Sequence, residues 1–188
     1  MNLKTKITTI AAASLFALSL GTSALAQSTG KVNQEITENR DPGALSASLD
    51  QTSTLNTFKF SLDDGQSNGV LVLNVTDSRG TSAGWNVTLN STDFNQKTGT
   101  NGQPIRASGF KLKDGGSLTA IKGSADGIQS GQSGATFESA KSVLRSPNGK
   151  GTGIYKKELN VELAIPGGQA VGTYQADVTV NIAAAPGQ

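Results

Sequence analysis

The chain has no cysteine and no histidine, and it carries one tryptophan and two tyrosines. Without imidazole a Ser-His-Asp triad cannot form. Without a thiol there is no Cys nucleophile, and zinc centres built on imidazole or thiolate are excluded. Hydrolysis by paired carboxylates needs neither group, but Asp93, Asp114 and Asp126 lie in turn-like contexts and suggest no acid/base pair. No catalytic residue, cofactor or metal is therefore expected. The chain also lacks, beyond its first residues, any helical period sustained over two turns.

The N-terminus reads as a targeting signal. Lys4 and Lys6 precede an apolar stretch from Ile7 to Leu20, and Ala24-Leu25-Ala26 supplies an A-x-A site. Residues 1–26 are expected to be a signal peptide cleaved after Ala26, since the apolar run is short for a span of roughly 20 residues. Loss of Lys4 and Lys6 leaves basic and acidic residues in balance, so the precursor's net charge of +2 disappears. The basic footprint of a nucleic-acid binder is then missing, and no nucleic-acid partner is expected. No second apolar stretch is long enough to span a bilayer. Ala183 to Gln188 shows no sorting motif, so attachment to a cell is expected to be non-covalent. An exported chain of this size can dispense with disulfides. Residues 27–188 suit one domain with a real core.

Period-two patterning dominates the rest. Val70-Leu71-Val72-Leu73-Asn74-Val75, bounded by Asn68-Gly69 and Asp77-Ser78-Arg79-Gly80, reads as a central strand buried on both faces. Trp85, Val87 and Leu89 alternate with polar residues, as do Leu159, Val161, Leu163 and Ile165. Tyr174, Ala176, Val178, Val180 and Ile182 form the cleanest one-sided strand. Weaker strands are expected at Ala44–Leu49, Leu55–Leu62, Ile105–Leu112, Ser117–Ile121, Ala135–Ser139 and Lys141–Leu144. Gly, Asn, Asp and Pro punctuate the connections, among them Asp64-Gly65 and Pro166-Gly167-Gly168. Residues 101–133 are rich in Gly and Ser and read as long loops with short strands between them, with room for an insertion. Many short strands with frequent turns predict an all-β, antiparallel β-sandwich in a single domain behind the signal peptide.

The run Val75-Thr76-Asp77-Ser78-Arg79-Gly80, followed by Gly84-Trp85-Asn86-Val87 and Asp93-Phe94, is far from generic. It resembles the V-x-D-x-R-G-…-G-W-x-L block of the WxL domain of Gram-positive surface proteins. Pro166 followed by Ala170-Val171-Gly172-Thr173-Tyr174 resembles that family's closing strand, whose Tyr is its second hallmark. Pro42-Gly43-Ala44-Leu45-Ser46 resembles its opening strand. Val87 stands where the family has Leu, and Val180-Asn181-Ile182 where it often has a second Trp. The resemblance covers most of residues 43–182. It implies a secreted domain that binds the cell wall without a covalent link, not an enzyme, with peptidoglycan or an associated wall polymer as partner. The expected layout is a signal peptide at 1–26, a flexible lead-in at 27–42, a WxL-like β-sandwich at 43–184 and a tail at 185–188. Expected localisation is secreted, at the cell wall and cell surface.

The hallmark or wall-binding positions carried over are Asp77, Arg79, Gly84, Trp85, Val87 and Tyr174. Trp85 reads either as a core anchor, because a Trp buries a large area, or as a stacking platform for a sugar ring; the alternation around it favours the core. Tyr174 divides the same way, and its hydroxyl needs a partner if buried. Asp77 and Arg79 are expected to pair, exposed or half-buried, and in the half-buried form to set the loop framed by Gly80 and Gly84. Asp63 to Gly69 carries several side-chain oxygens but lacks the spacing of a calcium loop and reads as a solvated turn. A structural or adhesive subunit that assembles with other surface proteins is the alternative function. Its expected mark, an N-terminal extension with alternating apolar residues, is thin: residues 27–40 offer only Val32 and Ile36.

Overall fold

The computed structural model describes residues 26–29, 43–50 and 55–185. The segment expected to be a signal peptide, through residue 25, most of the expected lead-in, residues 51–54 and residues 186–188 lie outside the described residues. The strands in chain order are β1 (Ala26–Thr29), β2 (Leu45–Leu49), β3 (Gly65–Asp77), β4 (Trp85–Ser91), β5 (Asn95–Thr98), β6 (Phe110–Asp114), β7 (Leu118–Gly123), β8 (Gln129–Ser130), β9 (Lys141–Ser146), β10 (Gly153–Ile165), β11 (Thr173–Gln175) and β12 (Val178–Ala184). Among the described residues the only helical turn is a 3-10 turn at Ala107–Gly109, and no helix is long and apolar enough to cross a membrane.

The first sheet has the order β1-β12-β4-β9-β8. The second runs β2-β3-β10, with β6 and β7 sharing the far edge of β10. A two-stranded β5-β11 ribbon completes the antiparallel fold. Trp85, Val87 and Leu89 of β4 face inward with Val180 and Ile182 of β12, and they meet Leu71, Leu73 and Val75 of β3 and Leu159, Val161 and Leu163 of β10 in one cluster. Alternation puts one row of each strand in that cluster and the other row outside. The expected all-β antiparallel sandwich is the observed architecture.

Several elements depart from the sequence reading. Val70–Val75 is not buried on both faces: Leu71, Leu73 and Val75 are buried, but Val70 is 42% exposed. Among the described residues no third layer covers the outer face there. The strand also begins earlier, because Gly65–Gly69 pairs with Val161–Ile165 of β10. The turn signals Asp64-Gly65 and Asn68-Gly69, and the turn expected over Asp63–Gly69, are thus largely strand. At Gly65 the reason is close approach: the Phe58 ring lies where a Cβ would stand.

The clean run from Tyr174 to Ile182 is two strands. It breaks at Ala176-Asp177, where Thr92 N and Asp177 O bond at 3.0 Å and the Thr92 hydroxyl accepts from Asp177 N at 3.0 Å. Tyr174 then pairs with β5, while Val178 onward pairs with β4. Leu55–Leu62 forms no strand, only a bridge from Leu55 to Gly69, and it leaves Phe60 and Leu62 exposed. Ala135–Ser139 contributes one bridge, Lys111 to Thr136. The expected Ile105–Leu112 strand opens with a bridge from Ile105 to Phe94, passes through the 3-10 turn and becomes β6. The lead-in is not wholly free of structure, since Ala26–Thr29 adds to the edge of β12.

Candidate functional site

Asp77 closes β3 and is flanked across the sheet by Leu45 of β2 and Gly153 of β10. Its carboxylate is buried. Arg79 folds back onto it: Nε donates to Oδ1 and Nη2 to Oδ2, both at 2.9 Å, and the Arg79 backbone N–H adds a bond to Oδ1 at 3.1 Å. The same Nη2 also donates to Gly84 O at 2.8 Å. One guanidinium therefore ties the end of the second sheet to Gly84, the residue just before β4 of the first. This two-pronged geometry is the strong form of a carboxylate–arginine contact. With the acid enclosed, removing the base would strand a buried charge, at a cost of about 3–5 kcal/mol.

Gly84 has φ +69, and a Cβ there would stand 2.6 Å from Ser146 O and 2.7 Å from Pro147 C. Only glycine fits a left-handed position pressed against backbone. Trp85 follows with no exposed surface. Its Nε1–H donates to Gly151 O at 2.9 Å, and its ring sits 6.0 Å from that of Tyr155 on β10 at an interplanar angle of 46°. Neither face of the indole is open to a sugar ring. Val87, also without exposed surface, pairs with Leu144 of β9 and Ile182 of β12.

Tyr174 does not join this cluster. It precedes Val178, which pairs with Ser91 at the far end of β4 from Trp85, a strand length of roughly 20 Å. Its ring packs half-buried on the edge of the core. The hydroxyl donates to Ala170 O and accepts from Gln169 Nε2, both at 2.8 Å. It pins the β10–β11 connection rather than the Trp85 loop.

The family model described as WxL domain, surface cell wall-binding, matches residues 19–186. The chain belongs to this family. It is accordingly a cell-surface protein that binds the cell wall. No curated protein and no solved structure matches the chain. The match takes in both the Asp77–Trp85 clamp and the distant Tyr174, which lie in two separate clusters in space.

Gly151-Thr152-Gly153 stands in the sequence ahead of the strand that ends at Ile165-Pro166, but nothing in the sequence tied Gly151 or Tyr155 to Trp85. Gly151 has φ +84, and a Cβ on it would lie 2.7 Å from Trp85 Nε1. Tyr155 is fully buried, with its hydroxyl 2.9 Å from Thr152 O and 3.1 Å from Ser124 O. Burial, reinforced by nearby Asp77, pushes its pKa up. Tyr155 continues the inward alternation that begins with Leu159, but Lys157 interrupts it. Lys157 faces the core with 2% exposure and sends its ammonium to Gly116 O at 3.1 Å. Its aliphatic stem fills an apolar position while its head reaches the edge. Burial lowers its pKa, opposed by Asp114 and Glu158.

No cluster of His, Cys, Asp or Glu able to hold a metal occurs among the described residues. Asp93 serves the fold. Its Oδ1 accepts from Ala107 N at 2.8 Å and its Oδ2 from Arg106 Nη1 at 2.9 Å, and these bonds lower its pKa, the Ala107 bond most.

Proposed function

We propose that the domain holds peptidoglycan or an associated wall polymer non-covalently through its outer surface, without cleaving it. Asp77, Arg79, Gly84, Trp85 and Val87 act in this reading as the scaffold that locks the two sheets, and Tyr174 as a second lock at the opposite end. The carrying observation is the zero exposure of Trp85 within a wall-binding family. A hallmark residue that touches no solvent contributes by fixing shape, so the polymer contacts lie elsewhere on the surface. The lack of histidine and cysteine supports binding without catalysis.

Sedimentation of the purified protein with purified peptidoglycan tests this. The protein is expected in the pellet, with no soluble sugar released. Because acidic and basic residues balance outside the signal segment, retention is expected to persist at 1 M salt, where the Debye length falls to about 3 Å. Protein left in the supernatant at every salt concentration would refute the reading.

A further inference from the structure

The outer face of the second sheet carries a groove of about 430 Å³ between Asn56 and β6, within the roughly 300–1,000 Å³ common for ligand sites. Its floor is built from β3 and β10. Val70 pairs with Asn160 across the two strands, and Asn68 sits two residues along on the same face. A bulge between β10 and β6 at Asn160/Val161 brings Asp114 beside Asn160.

The polar groups here are held in place and only half used. Asn160 Nδ2 donates to Asp114 Oδ1 at 2.6 Å, and Gly116 N adds a bond to the same oxygen at 2.8 Å. Lys113 Nζ donates to Asn68 Oδ1 at 3.1 Å. With one end of each carboxamide fixed, Asn68 presents its Nδ2 donor and Asn160 its Oδ1 acceptor. Neither atom has a partner among the described residues. Exposed Val70 adjoins both, directly across from Asn160 and two residues along from Asn68. One donor, one acceptor and a methyl-bearing surface are what a secondary acetamide requires, with its C=O, its N–H and its methyl group. Asn68 and Asn160 are diagonal neighbours on the sheet, separated by roughly 7–8 Å, which leaves room for one such group. The Lys113 and Asp114 charges offset each other, so the groove favours a neutral chain over a polyanion.

We infer that the groove floored by Asn68, Val70 and Asn160, with Lys113 and Asp114 at its side, binds the N-acetylated sugars of a neutral glycan strand. The inference rests on the wall-binding reading and names its contact surface. Asn68→Ala and Asn160→Ala remove the donor and the acceptor. Each is expected to weaken retention on teichoic-acid-free peptidoglycan about 3- to 10-fold, and the pair together more, with the thermal transition little changed. Soluble chitotetraose is expected to compete with the wild-type protein. If the wild type never sediments, the wall-binding reading fails. If it sediments and stable variants of both asparagines bind as well as it does, the groove assignment fails while that reading stands. Retention lost once teichoic acid is stripped would overturn the neutral-glycan assignment in favour of an anionic polymer.

Discussion

The indole nitrogen of Trp85 donates to the carbonyl of Gly151 at 2.9 Å, across sixty-six residues of chain. This bond joins the start of β4 to the loop that feeds β10, and so joins the two sheets at one end. A glycine is required on the acceptor side, because a Cβ at residue 151 would press on the same nitrogen. The clamp has a second strand in Arg79, which spans Asp77 and Gly84.

Trp85→Ala is expected to cost about 3–5 kcal/mol and to abolish wall binding by loss of the fold. Trp85→Phe keeps most of the volume but leaves Gly151 O without its donor, costing about 1–3 kcal/mol. Urea denaturation of both variants checks the order. A stable Trp85→Ala protein that no longer binds would make Trp85 a contact residue instead.

Arg79→Ala leaves the Asp77 carboxylate enclosed and unpaired, so a loss of about 3–5 kcal/mol is expected. Arg79→Lys is expected to recover only part of it, because an ammonium cannot make both prongs and reach Gly84 O as well. Thermal unfolding of the two variants is the measurement.

On β12, Val180 is buried, while Val178 is only half-buried at the core margin. Val180→Asp is expected to destroy cooperative unfolding by burying an unpaired charge. Val178→Asp should be milder, and Asn181→Asp on the outer row should change stability by about 0.5 kcal/mol or less. Circular dichroism melts of the three variants rank them.

Tyr155 and Lys157 pull stability in opposite directions at high pH. The Tyr155 hydroxyl has its pKa raised above the ordinary 10.0. Above pH 10 the unfolded chain releases a proton that the folded chain keeps, so this residue's contribution falls as pH rises. The Lys157 ammonium has its pKa lowered from 10.5. Between its folded pKa and 10.5 the unfolded chain holds the extra proton, so stability rises with pH. Relative to wild type, Tyr155→Phe is expected to gain stability above pH 10. Lys157→Met is expected to be at least as stable as wild type at pH 7, with that advantage shrinking as pH climbs toward 10.5. Denaturant midpoints at pH 7, 9 and 11 test both signs.

The sequence by itself determined the class of the fold and the motif that marks the family. Trp85, Val87 and Leu89 alternate so strictly that their inward row is a property of local geometry, and the Asp77-Ser78-Arg79 spacing brings acid and base together across a two-residue step. The tertiary structure alone decided the rest. Lys157 hid the inward row of β10 before Leu159, because a charged residue on a core face is recognised only once its head is seen at an edge. The ring partner of Trp85 is therefore Tyr155, while Tyr174, the tyrosine carried over from the family resemblance, sits beyond the far end of β4 from Trp85. Alternation from Tyr174 to Ile182 is continuous in sequence, but β5 and β4 claim different parts of it, and that choice depends on pairing between distant segments. Which face of Val70–Val75 stays open to solvent was likewise fixed by what the fold lays over it, and period-two patterning carries no record of a missing layer.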